Sequence, residues 1–291
     1  LDDWPEISSC LQKRWDALEG DSLSGSQFDP TQCAAPLPRS YHWADGSVYL
    51  NHMELVRKSR GANMPDSFLT NPLMYQGGSD ILMGPCDDIP VISEDWGIDL
   101  EAEAAVITDD VPMGVSSDNA PGHIVLILLA NDVSLRNLIP DELGKSFGFY
   151  QSKPPTAFSP VAVTPDALSD CWDGRKLLGR VTAKTNGKVL GDPDAGADMY
   201  FDFGQLITHA AKTRPLGAGT IIGSGTISNR DRSHGSTCIA EVRTIETIEE
   251  GKPKMSYLKF GDTVSIEMMD NEGQSIFGAI NQKVVQFVPQ R

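Results

Sequence analysis

Two glutamates interrupt an apolar segment of this 291-residue chain, and they limit how the chain can fold. Glu101 and Glu103 are two residues apart in a segment that is otherwise mostly aliphatic from Ile98 to Val106. Alternate residues of a strand share a face, so both carboxylates point the same way if this segment is a buried strand. Burying two carboxylates side by side is costly unless a cation neutralises them. The alternative is an exposed edge strand with two solvated glutamates, which is the commoner arrangement for this pattern.

A third carboxylate follows a second apolar run. Residues 124–130 are all aliphatic, and Asn131 and Asp132 come directly after them. Asp132 is therefore a candidate third ligand beside Glu101 and Glu103. Carboxylate oxygens of this kind suit hard cations such as Mg²⁺, Mn²⁺ and Ca²⁺, whereas zinc prefers nitrogen and sulfur ligands.

The charge and cysteine content exclude several classes of protein. A formal net charge of −16 argues against nucleic acid or an anionic membrane surface as the main partner. A small anionic substrate is still compatible, because a metal ion and a few local cations can set the sign of the charge inside a pocket. The chain has five cysteines, an odd number, and they are widely spaced with no C-x-x-C pair. This pattern predicts reduced thiols in a cytoplasmic protein. The apolar run 124–130 is too short to span a bilayer.

The pattern of apolar residues predicts a small N-terminal segment followed by one large domain. Apolar side chains recur every three or four residues over 1–20, which is typical of an amphipathic helix. Residues 21–40 are polar and contain proline, so they indicate a linker. We therefore divide the chain into an N-terminal helical segment and linker, 1–40, forming part of a truncated subdomain, and one large domain, 41–291.

The large domain is predicted to be mixed α+β and rich in β-structure. The many glycines and prolines (27 and 19) predict short strands and many turns. Asn186-Gly187 predicts a hairpin within 178–190, and the apolar spacing predicts a helix over 202–212. Four strand-like runs are predicted after Cys238. The stretch 137–160 has no clear periodicity and is predicted to be a mobile lid over the metal.

Six motifs in one order resemble those of the fumarylacetoacetate hydrolase family, from about Asp45 to the C-terminus. The motifs are Asp45 with His52 seven residues later, Leu73-Met-Tyr75-Gln-Gly-Gly, Asp99-Leu-Glu101-Ala-Glu103, Asn131-Asp132-Val-Ser-Leu-Arg136, Lys153 before Ser159-Pro160, and Gly223-Ser-Gly-Thr226-Ile-Ser. The resemblance implies the rolled mixed β-sheet of that family and an assembly as a homodimer.

The resemblance also implies a set of roles for residues. A divalent cation, Mg²⁺ before Mn²⁺ or Ca²⁺, would be held by four carboxylates: Asp45, Glu101, Glu103 and Asp132. His52 would be the general base that activates water, oriented by Glu241. The groups that would hold the substrate and the developing oxyanion are Arg136, Lys153 and Tyr75, with Thr226 at a substrate carboxylate. The implied activity is hydrolysis of a C–C bond in a small anionic β-diketone acid, either fumarylacetoacetate or an acylpyruvate.

Two positions and two functions have alternatives. Lys145 lies in Gly-Lys-Ser-Phe-Gly, which also resembles the lysine motif of the family, although Lys153 has the better spacing to Ser159-Pro160. Ile139 stands where fumarylacetoacetases carry a glutamine, which widens the range of possible substrates. Related folds resemble decarboxylases, hydratases and tautomerases that act through the enolate of a 2-oxo acid. A catalytically silent metal-binding scaffold is the alternative outside the enzymes.

Overall fold

The computed structural model describes residues 1–59, 61 and 63–290, and the elements below lie in that part of the chain. The α-helices are α1 Trp4–Glu19, α2 Leu50–Ser59, α3 Ile139–Gly144, α4 Phe203–Ala210 and α5 Ile239–Glu250. The strands are β1 Trp43–Ser47, β2 Leu73–Gly77, β3 Ile89–Val91, β4 Ile98–Asp99, β5 Ala102–Thr108, β6 Ile124–Asn131, β7 Ser134–Leu135, β8 Ala157–Phe158, β9 Val181–Thr185, β10 Lys188–Gly191, β11 Ile221–Gly223, β12 Thr263–Met268 and β13 Ile280–Gln286.

A six-stranded mixed sheet carries most of the candidate site. Its strand order is β2-β1-β11-β5-β6-β8, and the pairing is antiparallel except between β1 and β11. All seven residues of β5 are buried, because both faces of this strand are covered. Ala104 and Val106 belong to the main core, whereas Ala105 and Ile107 belong to a second apolar cluster. The aliphatic run around the glutamates is therefore a central strand, and the exposed edge strand is ruled out.

A second sheet packs with the first around the main core. It has the order β10-β9-β12-β13-β3, with β13 and β3 parallel. Residues from both sheets form one apolar cluster, including Ile127 of the first sheet and Ile266 of the second. A two-stranded ribbon, β4-β7, completes the set. The β-rich mixed architecture agrees with the predicted fold class.

Local sequence signals account for several elements. Asn186 and Gly187 both have positive φ angles (50° and 73°), as a tight hairpin turn requires, and they join β9 to β10 as predicted. The predicted helix over 202–212 is α4, where the side chain of Asp202 accepts a hydrogen bond from the backbone N–H of Gln205. The buried strand predicted at Thr220 is β11, and it enters a turn at Gly225.

Two predictions about local structure were wrong. The first strand-like run after Cys238 is the helix α5, and only β12 and β13 follow it as strands. The apolar residues of α5 recur every three positions, which gives a helix one packing side, and α5 packs against α2. The segment 137–160 was expected to lack regular structure, but it contains α3 and β8. Its motion as a lid stays a prediction.

The N-terminal helix is present as predicted, but its apolar face is open. Ile7, Leu11 and Trp15 are between 45% and 59% exposed. Trp4 of this helix, and Leu1 before it, pack on the apolar cluster that contains Ala105 and Ile107. Within 1–59, 61 and 63–290, no helix is both long and apolar enough to cross a membrane.

Candidate active site

Three carboxylates lie together on the six-stranded sheet, and one of them, Asp45, lines a cavity. Asp45 comes from β1, Glu103 from β5, and Asp132 directly follows β6. One oxygen of each lies within 4.8 Å of the others, and all three side chains are buried. Oxygen atoms grouped in this way match the donor set that a hard divalent cation prefers.

Glycines let these carboxylates approach one another. Gly223 of β11 lies between β1 and β5, in register with Asp45 and Ala105. A Cβ atom at Gly223 would lie 2.4 Å from Oδ1 of Asp45 and 3.0 Å from Oε2 of Glu103. Any side chain there would therefore displace the carboxylates. The N–H of Gly225 donates to Oδ1 of Asp45 at 3.0 Å and fixes that side chain.

Glu103 is fully buried, and neither of its carboxylate oxygens accepts a hydrogen bond from a described donor. Burial and the neighbouring carboxylates Asp45 and Asp132 raise the pKa of Glu103 well above its usual value. Burial and Asp132 act on Asp45 in the same direction and raise its pKa. A buried carboxylate without a partner is costly, so these oxygens fit a site for a bound cation.

Glu101 lies between the ends of β4 and β5, and both of its oxygens are paired. Nζ of Lys153 lies 2.5 Å from Oε2, and Nη2 of Arg136 lies 2.7 Å from Oε1. Burial alone would raise the pKa of Glu101, but Arg136 and Lys153 outweigh it and lower the pKa well below its usual range. Glu101 is therefore ionised and neutralised by protein groups.

The carboxylate of Asp132 accepts hydrogen bonds from three side chains. Its Oδ2 accepts from the Tyr75 hydroxyl at 2.6 Å and from Nζ of Lys153 at 2.5 Å. Its Oδ1 accepts from the Thr156 hydroxyl at 2.7 Å. Lys153 also donates to the hydroxyl of Ser134 at 2.8 Å, so its ammonium has three oxygen partners in a buried position. Although burial opposes it, the carboxylates Asp132 and Glu101 raise the pKa of Lys153, which is therefore charged.

His52 and Glu241 form a hydrogen-bonded pair beside this cluster. Nδ1 of His52 lies 2.9 Å from Oε2 of Glu241, and the second oxygen of Glu241 accepts from the Ser236 hydroxyl at 2.9 Å. The Glu241 carboxylate favours the tautomer with hydrogen on Nδ1, which leaves Nε2 as the basic nitrogen. Among the described residues, none makes a hydrogen bond with Nε2. His52 lines the cavity and can therefore present Nε2 to a molecule inside it.

Asp99 aligns the helix that carries Glu241, a role that the sequence did not indicate. Its buried carboxylate accepts from the N–H groups of Ile239 (2.7 Å) and Ala240 (2.8 Å), at the start of α5. Its Oδ2 also accepts from Nε of Arg136 at 2.8 Å. A carboxylate at a helix N-terminus satisfies free N–H groups and favours the helix dipole. The sequence signal that could have indicated this role is the position of Asp99 in the same apolar motif as Glu101.

Glu142 is a second residue that sequence reasoning missed. Its carboxylate accepts from the backbone N–H groups of Tyr150 (3.1 Å), Gln151 (2.6 Å) and Ser152 (3.2 Å), and from the Ser152 hydroxyl (2.5 Å). Burial opposes the effect, but these bonds lower the pKa of Glu142. The carboxylate thus holds the turn directly before Lys153. No pattern in the sequence marks it, because its partners are mainly backbone groups.

The cavity in front of these residues has a volume of about 640 Å³. Tyr75 and Thr226 line it, together with Glu101, Arg136 and Lys153. Ile139 also lines it, so the position where fumarylacetoacetases carry a glutamine presents an apolar side chain.

The structure brings Lys153, and not Lys145, to the centre. The side chain of Lys145 is 66% exposed and pairs with Asp141 on the surface of α3. The four carboxylates and six other residues named from the resemblance all lie at or directly beside the cavity, although Glu101 stands apart from the cluster of three. Their roles stay predictions.

This arrangement agrees with what sequence comparison finds. The model of the fumarylacetoacetate (FAA) hydrolase C-terminal domain matches residues 41–285, which is most of the chain. The chain belongs to the fumarylacetoacetate hydrolase family. Individual relatives are distant, and they differ in the reactions for which they are named.

Two relatives illustrate that range of reactions. The chain is 27% identical over 161 residues to the mitochondrial oxaloacetate tautomerase fahd2 of Xenopus laevis, a match that covers 53% of this chain and 47% of the frog protein. It is 26% identical over 213 residues to a 2,4-didehydro-3-deoxy-L-rhamnonate hydrolase of Sphingomonas, covering 71% of this chain and 65% of that protein. This chain thus spans about half to two thirds of their lengths.

The fold is shared with a solved structure of a putative HpcE protein from Mycobacterium smegmatis. The TM-score is 0.64 at 17% identity, and the superposition covers 94% of this chain and 86% of the other. The family fold and its rolled mixed sheet are therefore confirmed.

Proposed function

We propose that this protein is a divalent-metal-dependent enzyme that hydrolyses a C–C bond in a small β-diketone acid. The observation that carries this proposal is the pair of His52 and Glu241, 2.9 Å apart, facing the same cavity as the carboxylate cluster and Lys153. A base with an orienting carboxylate is what activation of water requires.

The proposed metal ligands are Asp45, Glu103 and Asp132, with Glu101 as the fourth. The unpartnered oxygens of Glu103 support this choice, since they are buried and point into a group of carboxylates. Mg²⁺ is the expected ion, and Mn²⁺ and Ca²⁺ share its preference for oxygen. When bound, the ion would supply a Lewis acid that polarises the substrate carbonyls and stabilises enolate charge.

His52 performs the proton transfer in this proposal. Glu241 holds the hydrogen of Nδ1, so Nε2 accepts a proton from a water molecule in the cavity. The hydroxide adds to one carbonyl carbon of the substrate. The bond from that carbonyl carbon to the central carbon then breaks, its electron pair passes to the enolate of the other carbonyl group, and His52 returns its proton to that central carbon.

Lys153, Arg136 and Tyr75 provide the positive and hydrogen-bonding groups around the reacting atoms. Lys153 and Arg136 are charged and buried beside Glu101, so they need no reorganisation when negative charge develops on the substrate. The hydroxyl of Tyr75 and the side chain of Thr226 complete the wall that would contact substrate oxygens.

The homodimer and the cytoplasmic location stay predictions.

Oxaloacetate tautomerisation is the second candidate. The name of the frog relative favours it, and the apolar Ile139 removes one oxygen-binding group that fumarylacetoacetases carry. Tautomerisation moves a proton between carbon and oxygen and does not consume water. The same base and the same charged groups can therefore serve either reaction.

The two reactions are separated by their products. The chain is incubated with Mg²⁺ and, in turn, acetylpyruvate, fumarylacetoacetate and oxaloacetate, while the ultraviolet enol band and the released acids are measured. Hydrolysis consumes the band and releases two acids from the first two substrates. Tautomerisation only accelerates the keto–enol equilibration of oxaloacetate, whereas decarboxylation also yields CO₂. If none of the three substrates reacts faster than with the His52→Ala variant, the protein is a silent scaffold and the proposal is wrong.

A further inference from the structure

One loop, residues 227–237, contacts both α2 and α5, the helices that carry the proposed base and its orienting carboxylate. Its two ends lie side by side, because the hydroxyl of Thr237 donates to the carbonyl of Ile227 at 2.7 Å. Both ends also bind Ala102 of β5. The N–H of Ile227 donates to the carbonyl of Ala102 at 3.0 Å, and the N–H of Ala102 donates to the carbonyl of Thr237 at 3.2 Å. The loop is therefore fixed at its base to the strand that carries Glu103.

The first end of the loop binds α2 at the residue before His52. The side-chain amide of Asn51 donates to the hydroxyl of Ser228 and to the carbonyl of Asn229, both at 2.8 Å. Because a carbonyl oxygen can only accept, the amide of Asn51 has one orientation there. The side chain of Asn229 is held as well, since it accepts from the N–H of Asp194 at 2.8 Å and donates to the carbonyl of that residue at 3.0 Å. The start of α2 is thus tied to a fixed part of the loop.

The other end of the loop binds the carboxylate of Glu241. The hydroxyl of Ser236 donates to Oε1 at 2.9 Å, and Nδ1 of His52 lies 2.9 Å from Oε2. A carboxylate with a partner on each oxygen cannot turn without losing one of them. Ser236 is only 1% exposed, and its N–H donates to the carbonyl of Leu190 at 3.3 Å. A Cβ atom at Gly191 would lie 2.3 Å from the nitrogen of Ser236, so the loop is closely packed here.

The two contacts act on one hydrogen bond from opposite sides. Asn51 fixes the backbone beside His52, whereas Ser236 fixes the carboxylate that His52 contacts. A base accepts a proton efficiently only if it is held in one tautomer and one orientation. Because the loop is bound to β5, it also relates the position of this pair to the carboxylate cluster.

We propose that the 227–237 loop sets the position of the base relative to the carboxylate cluster, with Asn51 and Ser236 as positioning residues for His52. This inference rests on the proposed function, in which Nε2 of His52 accepts the proton. Neither positioning residue is among those that line the cavity, so each acts on the reaction through His52 and Glu241. The alternative is that both contacts only stabilise the fold, in which case their loss leaves the state of His52 unchanged.

The tautomer of His52 is the direct measurement. The chain has five histidines, so ¹⁵N NMR spectra of the ring nitrogens, compared with the spectrum of His52→Ala, identify its signals. At a pH where the ring is neutral, we expect the hydrogen on Nδ1 in the wild type. Asn51→Ala and Ser236→Ala should each move it partly to Nε2, because the bond to Glu241 sets the tautomer.

Turnover in two backgrounds tests the same inference on the reaction. Asn51→Ala and Ser236→Ala should each lower kcat about 10-fold with an unchanged KM, as the loss of a hydrogen bond near a charged group can do. In the His52→Ala background the same replacements should leave the residual turnover unchanged, since they act only through His52. The matched control is Ser40→Ala, which removes a buried hydroxyl bound to the carbonyl of Gly219 and should keep wild-type turnover.

Each outcome decides one of the two proposals. If Ser236→Ala does not fold, Ser236→Cys takes its place, since it offers a weaker donor of similar size and should show a smaller shift of the tautomer. An Nδ1 hydrogen that is absent from the wild type or unmoved in the variants would overturn the inference. An equal fall in turnover with and without His52 would also overturn it. If His52→Ala turns over every substrate as fast as the wild type, the proposed function is wrong instead, and the tautomer alone decides the inference.

Discussion

Glu101 and Glu103 are separated by one residue and are both buried, yet their surroundings are opposite. Glu101 has one cation on each oxygen, from Arg136 and Lys153. Glu103 has no hydrogen-bond partner among the described residues and faces two further carboxylates. The same residue type in one motif therefore has a lowered pKa at one position and a raised pKa at the other.

The contrast indicates two different uses of a buried carboxylate. The charge of Glu101 organises the cations that would act on the substrate, and the protein itself compensates for it. The charge of Glu103 is not compensated by protein groups, so it is available to an added cation.

The largest effect is expected from replacing each glutamate by glutamine in the metal-free protein. Glu101→Gln leaves Lys153 and Arg136 without their shared anion, and should lower the free energy of unfolding by about 3–5 kcal/mol. Glu103→Gln removes the cost of burying this carboxyl group beside two others and supplies a donor to its neighbours, and should raise the free energy of unfolding by about 1 kcal/mol. Urea unfolding in the presence of a chelator measures both. Changes of the same sign would contradict the contrast.

Lys153→Met makes the surroundings of Glu101 more like those of Glu103. It removes the cation nearest to the developing oxyanion, and turnover should fall by about 10²- to 10³-fold. The matched control is Lys145→Met, whose exposed lysine pairs only with Asp141, and it should keep nearly full turnover. A similar loss in both variants would show that the lysine at the centre was assigned wrongly. Steady-state rates with the best substrate provide the measurement.

Addition of Mg²⁺ tests the role of Glu103 in this contrast. At about 100 times its dissociation constant, a cation that binds only the folded chain should raise the free energy of unfolding by about 2.7 kcal/mol. Glu103→Gln should lose most of this gain, because the unpartnered oxygens are removed. Thermal unfolding with and without Mg²⁺, with a chelator as the reference, measures the gain. A wild-type protein that does not respond would contradict the assignment of the ligands.

The smallest effect concerns Glu142, a carboxylate that is held by neutral donors instead of cations. Its pKa is lowered on folding, so the stability it contributes is present above the unfolded pKa of about 4.3 and is lost as the pH falls further. Glu142→Gln should therefore cost about 1–2 kcal/mol at pH 7 and progressively less below pH 4.

Turnover distinguishes Glu142 from an ordinary turn residue. Glu142→Gln loosens the turn before Lys153 and should lower turnover several-fold. Asp270→Asn is the matched control, because Asp270 accepts from the N–H groups of Glu272 and Gln274 in a turn after β12. It should leave turnover unchanged. A cost for Glu142→Gln that does not change with pH would contradict the role of its charge.

Strong local signals made much of the fold predictable. The aliphatic run of β5, the Asn186-Gly187 turn and the helix α4 all depend on neighbours in the sequence, and they were found where predicted. The run 124–130 was compatible with a helix or a strand, and the structure makes it the strand β6. The helix α5 was mistaken for a strand because its isoleucine, valine and threonine residues favour strands. Its contact with α2, which the sequence does not display, decides the outcome.

The site was predictable only in part, for a related reason. The chemistry-bearing residues lie in short motifs, so the resemblance could name His52, Glu241 and the four carboxylates. The supporting groups bind partners that no sequence pattern marks: Asp99 binds the start of α5, 140 residues away, and Glu142 binds backbone N–H groups 8 to 10 residues further along the chain. Asn51 binds a loop 177 residues further along the chain. Such roles depend on tertiary geometry.

The strand order of the six-stranded sheet has a consequence for the synthesis of the protein. The three clustered carboxylates come from strands near residues 45, 103 and 132, and β11 must enter between β1 and β5 to complete the sheet. Pairing of such distant segments is slow, and here it also brings like charges together. A divalent cation that binds these carboxylates favours the completed sheet over the unfolded chain. The yield of folded protein in a cell should therefore depend on its supply of divalent cations, before any substrate is turned over.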